Sequence, residues 1–394
     1  MGKKIGIIGL NARATAQSAK RAGYDVFLTT YFCDIDTSAV TKNFFSMQKE
    51  KFEPDLKEYS VNALADFATE KFKGKLDDVI LTSKIGDSAK AVKTIEKNFK
   101  IIGNNSENVQ RAKSWKFLKK VLAQYSILYP KTIVVDANEI NEINLNFPCV
   151  IKAMNIDDGK CPPQQIFSFA DLENLIFSKR VSGEILIQEF IDGISLSCSV
   201  LSNGKRAVAI SVNRQLISEK FFGGCGLKYC GNIVPYDGNK ELIQNIKKIS
   251  EFIISDLSLI GSNGIDYVVN KDKIYFMELN PRIQDTIENV EKYSGINLVE
   301  DHIKACNGNV NVEKFKKINN NKKFYGKGII YAEKDVKVKN FDTLNIGDVP
   351  NSECLIKKNE PICCIYEEGK SNADVFEKMK KDANRIYSNS LKFF

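Results

Sequence analysis

The chain has 394 residues, of which 43% are hydrophobic and 27% are charged, and it carries a formal net charge of +8. This composition is ordinary for a globular protein that is large enough for more than one hydrophobic core. The longest apolar runs are strand-sized, which excludes a membrane helix of roughly 20 apolar residues, so no membrane partner is expected. The N-terminus enters a strand without the apolar segment of a signal peptide, so we expect a cytoplasmic protein.

The charged residues and the single histidine exclude some kinds of partner and some kinds of catalytic site. Lysines are spread along the chain without a dense basic block, so the positive charge predicts anionic small molecules rather than nucleic acid as partners. His302 is the one histidine, which argues against a histidine-based triad or a multi-histidine metal site, and we expect it to be a structural residue on a helix face. Ten scattered cysteines without a CxxC pair predict reduced thiols. Catalysis must therefore rest on carboxylates, Lys, Arg and backbone groups.

Residues 1–105 alternate short apolar strands with helices, which predicts a parallel α/β domain. Lys4–Gly9 has the pattern of a buried strand, and the helix that follows should stop at Gly23. The glycines of this first strand are too sparse for a dinucleotide-binding fingerprint, so a Rossmann-type dehydrogenase is not supported. Further strands are expected at residues 24–28, 78–82 and 100–102.

Polar residues follow the first two strands of this domain. Asn11 and Arg13 come after the first strand, and Asp34 and Asp36 come after the second. Open α/β sheets bind ligands at the carboxyl ends of their strands. We therefore take Asn11 and Arg13 as candidate substrate-binding residues.

The rest of the chain mixes helices with β-rich segments, which predicts an α+β organisation. A helix is expected over residues 106–128, a β-rich segment over 194–235 and an amphipathic helix over 239–256. Residues 311–323 are rich in Lys and Asn and predict an exposed connector. A final helix should start near Ser371.

Residues 264–269 and 274–280 form two strands joined by a polar turn, which predicts a hairpin. Because the side-chain period of a strand is two, Glu278 and Asn280 share one face of the second strand. The alternate residues should face a core, and they are Tyr275, Met277 and Leu279.

The register of this hairpin decides whether Asp266 joins Glu278. If Asn270 pairs with Ile274, Asp266 lies directly opposite Glu278, with Cβ atoms about 4.5–5.5 Å apart. An even turn puts Asp266 on the other face instead. Two carboxylates and the Asn280 amide oxygen are ligands suited to Mg²⁺ (or Mn²⁺) held jointly with substrate phosphates. The alternative is a solvated edge hairpin whose polar residues face water.

At this hairpin the sequence resembles the ATP-grasp superfamily, in particular its biotin-carboxylase-like members. The resemblance rests on Asp266 and on Glu278-Leu279-Asn280-Pro281-Arg282, with spacings of twelve and two residues, and it extends over most of the chain. In such enzymes the acidic residues and the Asn bind one or two Mg²⁺ ions, and the Arg after the Pro contacts substrate or the transferring phosphate. The resemblance therefore implies Asp266, Glu278 and Asn280 as metal ligands and Arg282 as a catalytic residue.

The same resemblance implies a binding site for ATP. Lys152, at the end of an apolar strand, and Lys113, near the start of a helix, match the lysines that reach the ATP phosphates, and Lys152 is also a candidate catalytic residue. Residues 185–193 look like the hinge strand that bonds adenine and ribose, with matching positions at Gln188, Glu189 and Ile191. Without the resemblance, either lysine would be taken as a surface residue and the hinge as a plain strand end.

One loop departs from the pattern of these enzymes, which carry a mobile glycine-rich loop over the phosphates. Here residues 153–161 contain one Gly, at 159, and two acidic residues, Asp157 and Asp158. Carboxylates next to a triphosphate are unfavourable unless a metal mediates, so we expect weaker closure over the phosphates, or Lys160 in place of the glycines.

A glycine-dense, aromatic segment at residues 221–232 lies between the hinge and the metal strands, and Arg214 precedes it. Glycines let a backbone approach a ligand closely, and similar enzymes form part of the acceptor site with this region. Arg214 is a candidate clamp for a carboxylate or phosphate. The alternative is a plain hairpin with a surface arginine.

We therefore expect an α/β, Rossmann-like parallel-sheet domain over residues 1–105 and an α+β ATP-grasp body over 106–310, with its lid at about 130–190. A small C-terminal α+β domain is expected over 324–394. Residues 11–13, 18–24 and 34–36 together resemble an archaeal subgroup described as predicted ATP-dependent carboligases and associated with one-carbon metabolism.

The function implied by the resemblance is an ATP- and Mg²⁺-dependent ligase of cofactor or small-metabolite biosynthesis. A small-molecule carboxylate is activated as an acyl phosphate with release of ADP, and an amine or similar nucleophile is the acceptor. Two alternatives stay open: an ATP-grasp kinase that stops after phosphoryl transfer, and a non-catalytic nucleotide-binding module. A homodimer is left open as well.

Overall fold

The computed structural model describes residues 2–51, 60–137, 139, 145–153, 163–178, 183–316, 323–339, 341 and 345–393. Within these ranges the strands form sheets of five, four, eight and three strands. A parallel-sheet N-terminal domain followed by a mixed α/β body with an antiparallel sheet is the expected fold class, which is confirmed. No helix in the described part of the chain is long and apolar enough to cross a bilayer.

The N-terminal domain consists of β1 (Lys4–Gly9), α1 (Arg13–Arg21), β2 (Asp25–Thr30), α2 (Ile35–Ser38), β3 (Asn43–Ser46), α3 (Met47–Lys51), α4 (Val61–Phe72), β4 (Asp78–Leu81), α5 (Ala89–Glu96) and β5 (Lys100–Ile101). Its sheet is parallel, in the order β3-β2-β1-β4-β5. Helices cover both faces of this sheet, so its central strands are fully buried, as at Ile7, Ile8 and Ile80. The connections diverge between β1 and β4, which is the crevice where such sheets bind ligands.

Two helices, α6 (Ser106–Lys113) and α7 (Trp115–Gln124), follow the N-terminal domain where one helix was expected over residues 106–128. Ser114 separates them because its ψ of 111° is extended rather than helical. The single-helix prediction is wrong at this point, and Lys113 is the last residue of α6 instead of lying near a helix start. The break allows the Lys113 side chain to leave the helix and reach the body sheet, where its Nζ lies 2.9 Å from Glu278 Oε1.

The next unit consists of β6 (Thr132–Asp136), β7 (Cys149–Ala153), β8 (Gln164–Ile166), α8 (Phe169–Phe177) and β9 (Glu184–Glu189). The strands form an antiparallel sheet in the order β6-β9-β7-β8 over the range expected for the lid. One face packs Ile151, Ile185 and Ile187 in a core with α8. The other face carries Leu186, which joins the hydrophobic core of the body and so turns this face toward the body.

The body consists of β10 (Ile194–Asn203), β11 (Ala207–Ile217), β12 (Tyr229–Val234), α9 (Lys240–Asp256), β13 (Ile260–Asn270), β14 (Lys273–Asn280), α10 (Ile287–Ser294), α11 (Leu298–Cys306), α12 (Val312–Lys316), β15 (Phe324–Tyr331), β16 (Val336–Val338), β17 (Ile346–Gly347), β18 (Leu355–Ile356), β19 (Pro361–Gly369), α13 (Asn372–Arg385) and β20 (Leu391–Phe393). The large sheet has the order β14-β13-β10-β11-β12-β15-β19-β17 and is antiparallel. Residues 324–394 therefore contribute three strands to the body sheet, and only β16, β18 and β20 form a separate small sheet.

His302 joins helix α11 to β13 and to the segment that directly follows β5, and it is fully buried. Its Nδ1 accepts a hydrogen bond from the Ser262 backbone N–H at 2.8 Å, and its Nε2 lies 2.8 Å from the Ile102 carbonyl oxygen. These partners require a neutral ring with its proton on Nε2. Burial lowers the pKa of His302 to about 4, so this residue is structural, as the sequence indicates.

We expect His302 to destabilise the fold as the pH falls from about 6.5 to about 4. In that window the unfolded chain binds a proton at this ring and the folded chain does not, so the free energy of unfolding drops, by on the order of 3 kcal/mol in full. Unfolding in urea between pH 7 and pH 4 measures the slope. In His302→Gln, which keeps an acceptor and a donor, the slope should be shallower. An equal slope in both proteins would contradict the assignment.

Candidate active site

The hairpin β13–β14 is closed by a two-residue turn. Asn270 pairs with Lys273, and the two residues between them, Lys271 and Asp272, have positive φ values of 45° and 67°, as a tight primed turn requires. Of the two registers that the sequence leaves open, the turn therefore has the even one, and Asn270 does not pair with Ile274. Taken alone, this even register would carry Asp266 to the face of the sheet that is opposite to the Glu278 side chain.

A β-bulge in β14 reverses that consequence. The register shifts by one residue after Tyr267 pairs with Phe276, so that Met277 is extra and Asp266 pairs directly with Glu278. The bulge also corrects the expected core: Phe276 is fully buried, whereas Tyr275 and Met277 are only half-buried. Bulges of this kind re-aim side chains next to active sites. Here the bulge places two carboxylates on one face.

Asp266, Glu278 and Asn280 converge on this face. Asn280 Nδ2 donates to Asp266 Oδ2 at 3.0 Å, and Gln215 Nε2 donates to Asp266 Oδ1 at 3.0 Å. Burial, reinforced by the neighbouring Glu278 carboxylate, raises the pKa of Asp266 to about 7, because both effects disfavour a second negative charge. A divalent cation would relieve this repulsion, so the three side chains fit Mg²⁺.

The donor set also suits a metal shared with phosphates. Among the described residues, no three His, Cys, Asp or Glu side chains converge in a way that would enclose a metal by themselves. Two carboxylates and one amide oxygen leave several positions of an octahedral ion for phosphate oxygens and water, which is the usual arrangement for Mg²⁺.

Two cations flank the carboxylates, and Asp87 holds both. Arg282 Nε lies 2.6 Å from Asp87 Oδ2, and Lys113 Nζ lies 3.1 Å from Asp87 Oδ1. Burial opposes ionisation of Asp87, but Arg282 and Lys113 outweigh it and hold the pKa of this carboxyl well below its usual range. A Cβ at Gly86 would lie 2.9 Å from the Arg282 Cβ, so the glycine gives Arg282 room to pack there.

Asp87 is a site residue that the sequence interpretation missed. It closes a short 3-10 turn (Ile85–Asp87) after β4, at the carboxyl edge of the sheet that also carries Asn11. The strand-end rule that selected Asn11 could have selected Asp87 too. An isolated bridge between Thr82 and Ile283 joins this edge to the segment that follows β14. The N-terminal domain thus helps to build the site.

Lys152 lies on the lid face that is turned toward the body. It pairs with Leu186 in the lid sheet, and Glu278 and Lys113 are its strongest electrostatic neighbours. Burial lowers the pKa of the Lys152 ammonium, and Glu278 offsets part of this effect. No ion pair of Lys152 within 4 Å occurs in the described ranges. A buried ammonium of this kind is suited to bind an anionic phosphate.

The expected hinge residues lie together where the lid meets the body. Gln188 is 2% exposed, and its Nε2 donates to Thr132 Oγ1 at 3.1 Å. Its Oε1 has no hydrogen-bond partner in the described ranges, so one buried acceptor is available. Glu189 is exposed and accepts from the Lys131 backbone N–H at 3.3 Å, and Ile191 is half-buried between β9 and β10.

The structure does not bring Arg214 to the carboxylates. Arg214 is exposed and pairs with the apolar residues Leu196 and Ile233, so it faces the side of the sheet that packs on α9. Its neighbour Gln215 points to the opposite face and bonds Asp266. A role for Arg214 in binding substrate would therefore require a contact from the far side of the sheet.

Asn11 and Arg13 lie at the expected strand edge, but both are engaged by protein groups. The backbone of Asn11 exchanges hydrogen bonds with the Ser83 hydroxyl. Arg13 is 4% exposed and donates to Asp348 Oδ1 at 2.7 Å, to Tyr366 OH at 2.6 Å and to Glu288 Oε1 at 3.0 Å. Arg13 thus joins the N-terminal domain to the body, a structural contact that sequence spacing does not reveal.

A row of polar side chains crosses the body sheet away from the carboxylates. Gln215 pairs with Asn232, Asn232 with Lys327, and Lys327 with Tyr366, all on the Asp266 face. At about 4.8 Å between strands, the row extends roughly 20 Å from Asp266 to Lys327. Lys327 and Tyr366 were not expected from the sequence, because the common face exists only once the strands are paired, whereas Asn232 is the last residue of the glycine-dense segment 221–232.

The expected phosphate loop spans residues 153–161. Apart from residue 153, it lies outside the described residues. The expectation of weaker closure over the phosphates therefore stays a prediction.

Comparison with known proteins agrees with this geometry. The sequence profile of the ATP-grasp domain matches residues 119–286. An uncharacterised protein of Methanocaldococcus jannaschii is 24% identical over 390 residues, which cover 98% of this chain and 92% of that protein. Tyramine–L-glutamate ligase of the same organism is 40% identical over 102 residues, 26% of this chain and 30% of that enzyme. Biotin carboxylase from Campylobacter jejuni, solved with a β,γ-ATP ligand, superposes with a TM-score of 0.72 at 14% identity, covering 96% of this chain and 90% of that chain.

Residues 119–286 thus carry an ATP-grasp domain, and the described chain has the fold of biotin carboxylase. Its class is that of ATP-dependent ligases. The match to tyramine–L-glutamate ligase spans less than a third of that enzyme, so the particular reaction is a matter for proposal.

Proposed function

We propose that this protein is an ADP-forming ligase that activates a small-molecule carboxylate as an acyl phosphate and transfers the acyl group to an amine or similar nucleophile. The observation that carries the proposal is the direct pairing of Asp266 with Glu278, beside Asn280 and between the cations Lys113, Lys152 and Arg282. A bound Mg²⁺-triphosphate requires carboxylates that ligate the metal and cations that contact the phosphate oxygens, and these residues offer both.

Each side chain of this site has a defined task in the proposed reaction. Bound Mg²⁺, held by Asp266, Glu278 and Asn280, would neutralise phosphate charge. Lys113 and Lys152 bind the phosphates from the body side and the lid side. Arg282 stabilises the charge that develops on the transferring phosphoryl group.

No protein nucleophile is needed. A carboxylate oxygen of the substrate attacks the γ-phosphorus, a new O–P bond forms, and the bond to the β-phosphate oxygen breaks to release ADP. The acceptor nitrogen then attacks the acyl carbon, inorganic phosphate leaves, and the nitrogen loses a proton. The protein contributes position and charge, which agrees with the absence of a histidine at this site.

Ion pairs with carboxylates hold the proposed phosphate-binding cations in place when no nucleotide is bound. Lys113 bridges Asp87 and Glu278, at 3.1 Å and 2.9 Å, and so neutralises part of the charge of one proposed metal ligand. Glu278 would be a ligand of bound Mg²⁺, and the Lys113 ammonium would then be available to a phosphate oxygen. Asp87 keeps hold of Lys113 and Arg282 and limits how far they move.

Trapping of the acyl phosphate tests the proposal. Purified protein is incubated with Mg²⁺, ATP and pools of small carboxylates, and ADP release is followed with and without hydroxylamine, which converts an acyl phosphate to a hydroxamate. We expect ADP, a hydroxamate, and phosphate release that rises when amines are added. Formation of AMP, or a stable phosphorylated product that no amine consumes, would contradict the ligase reaction; the latter result would indicate a kinase. Nucleotide binding without any carboxylate-stimulated ADP would indicate a binding module.

A further inference from the structure

Asp87 is a buried carboxylate whose ion-pair partners lie outside its own domain. Its side chain is 7% exposed. Its ion pairs in the described ranges are with Arg282, at 2.6 Å, and with Lys113, at 3.1 Å. Asp87 caps no helix, because Ser88 is the N-cap residue of α5. The N-terminal domain therefore supplies one negative charge to the candidate active site, from a position before the ATP-grasp domain of residues 119–286.

A strained turn carries Asp87 to this position. Lys84 has φ and ψ values of 54° and −52°, and the Ile85 N–H donates to the Ser83 carbonyl oxygen, which together are the geometry of the rarer, strained kind of γ-turn. A residue other than glycine is unfavourable in this conformation. Strain of this kind persists where surrounding contacts over-determine it, and it clusters at functional sites. Here the turn leads directly into the 3-10 turn that ends at Asp87.

The contact with Asp87 decides which donors of Arg282 stay available. A guanidinium has five N–H donors. Arg282 Nε donates to Asp87 Oδ2 at 2.6 Å, and Nη1 donates to the Ile283 carbonyl oxygen at 3.1 Å, whereas Nη2 has no hydrogen-bond partner in the described part of the chain. Gly86 packs against the stem, since a Cβ there would lie 2.9 Å from the Arg282 Cβ and 3.2 Å from its Cδ. The stem and the Nε side are thus fixed, and the Nη2 side is left for an anion.

The other carboxylates near the Arg282 guanidinium are the proposed metal ligands. Burial lowers the pKa of this guanidinium, but Asp87, Glu278 and Asp266 outweigh burial and raise it. The free side of Arg282 therefore borders the position proposed for the Mg²⁺-triphosphate. An arginine in this place stabilises the transferring charge best if its direction is fixed beforehand, because a group that must first reorient loses part of that effect.

We propose that Asp87 is a positioning residue, supplied by the N-terminal domain, that aims Arg282 at the transferring phosphoryl group. By holding Nε, it keeps the free Nη2 side toward the proposed phosphate position. Lys113 shares the same carboxylate, so one anion serves two cations. The inference rests on the phosphoryl-transfer half of the proposed function, and it holds for a ligase and for a kinase.

Thermal unfolding with an analogue of the transferring group tests this role without turnover. The probes are MgADP alone and MgADP with aluminium fluoride, which takes the place of the transferring phosphoryl group, and we expect the fluoride to add stabilisation in the wild-type protein. Asp87→Asn removes the charge, and Asp87→Glu keeps it but moves it by one methylene. In both variants the apparent Kd of the fluoride complex should rise at least about tenfold, since a charge-assisted contact is lost or displaced, while that of MgADP should stay within about threefold.

A control variant and a double variant show whether Asp87 acts through Arg282. Asp77→Asn, at an exposed position just before β4, should respond to the fluoride like the wild-type protein. Arg282→Met should lose the fluoride response by itself, and Asp87→Asn added to it should cause no further loss. Unfolding midpoints without ligand report whether each variant is folded. If Asp87→Asn does not fold, Asp87→Glu, which keeps the charge, carries the comparison.

The outcomes separate positioning from charge balance and from a structural role. Loss of the fluoride response in the Asp87 variants that fold, with MgADP binding kept, supports the inference. It is overturned by an unchanged response in either variant, by equal losses for MgADP and for the fluoride complex, by a further loss in the double variant, by unfolding of both single variants, or by no fluoride response of the wild-type protein. Absence of carboxylate-dependent hydroxamate in the wild-type protein would count against the ligase proposal and leave the fluoride result standing.

Discussion

Glu278→Gln should strongly slow acyl-phosphate formation while the protein stays folded. The substitution removes one carboxylate charge from the metal position and keeps the size of the side chain. Glu278 is also the partner of Lys113, but Lys113 retains its ion pair to Asp87, so the local structure should persist. Loss of charge stabilisation for the transferring phosphoryl group costs on the order of 10²–10³-fold in kcat. The measurement is carboxylate-stimulated ADP release at saturating Mg²⁺ and ATP.

Glu184→Gln is the matched control, because this glutamate is exposed at the start of β9 and outside the site. It should turn over like the wild-type protein. A second measurement separates metal binding from folding: the stabilisation that Mg²⁺ adds to a non-hydrolysable ATP analogue should fall in Glu278→Gln and persist in Glu184→Gln. If Glu278→Gln retains full activity, the assignment of the metal site is wrong.

Lys152→Met should weaken the binding of the triphosphate and lower kcat. Methionine keeps most of the apolar stem of the side chain and removes the ammonium that faces Glu278 and Lys113 across the cleft. A charge-assisted contact to phosphate is worth about 1.5–3 kcal/mol, so the Kd for the Mg²⁺-ATP analogue should rise roughly tenfold to a hundredfold. Calorimetric titration of the analogue gives this value directly.

Two control measurements test whether Lys152 acts on the phosphates of the nucleotide. Lys131→Met, at an exposed position just before β6, should bind the analogue like the wild-type protein. Adenosine, which lacks phosphates, should bind Lys152→Met and the wild-type protein alike, since the hinge at Gln188 is untouched. Equal losses for adenosine and for the triphosphate analogue would show that the lid had been disturbed in general, and would count against a phosphate contact.

Much of the fold can be predicted from local patterns. The alternation of strands and helices before residue 105 and the amphipathic helix α9 follow from side-chain periodicity and capping residues, with Asn239 accepting from the first backbone N–H groups of α9. The helix break at Ser114 could not be predicted in this way, because the residues on both sides of it favour a continuous helix. The break is useful only in the tertiary structure, where it frees Lys113 for Glu278.

The candidate site likewise contains residues that local patterns predict and residues that only the tertiary structure brings together. Spacing alone places Glu278 and Asn280 on one face of a strand, because that relation depends on alternate positions of one element. Gln215 and Asn232 reach this face from strands that are distant in sequence from the hairpin, so the sequence does not show that they share a face with Asp266. Asp87 could have been selected only by its place after a strand end. Arg214 illustrates the converse, since a charged residue in a suggestive segment proves to face the other side of the sheet.

The sequence by itself determined which candidate groups the chain offers: acidic and amide side chains in one hairpin, lysines at strand and helix ends, and a single histidine outside them. Only the tertiary structure decided whether Asp266 faces Glu278. The tight turn after Asn270 sets an even register that separates the two carboxylates, and the bulge at Met277 reunites them. The bulge accompanies the burial of both Phe276 and Leu279 in the core beneath the sheet, and that packing involves strands and a helix that no local pattern of the hairpin contains.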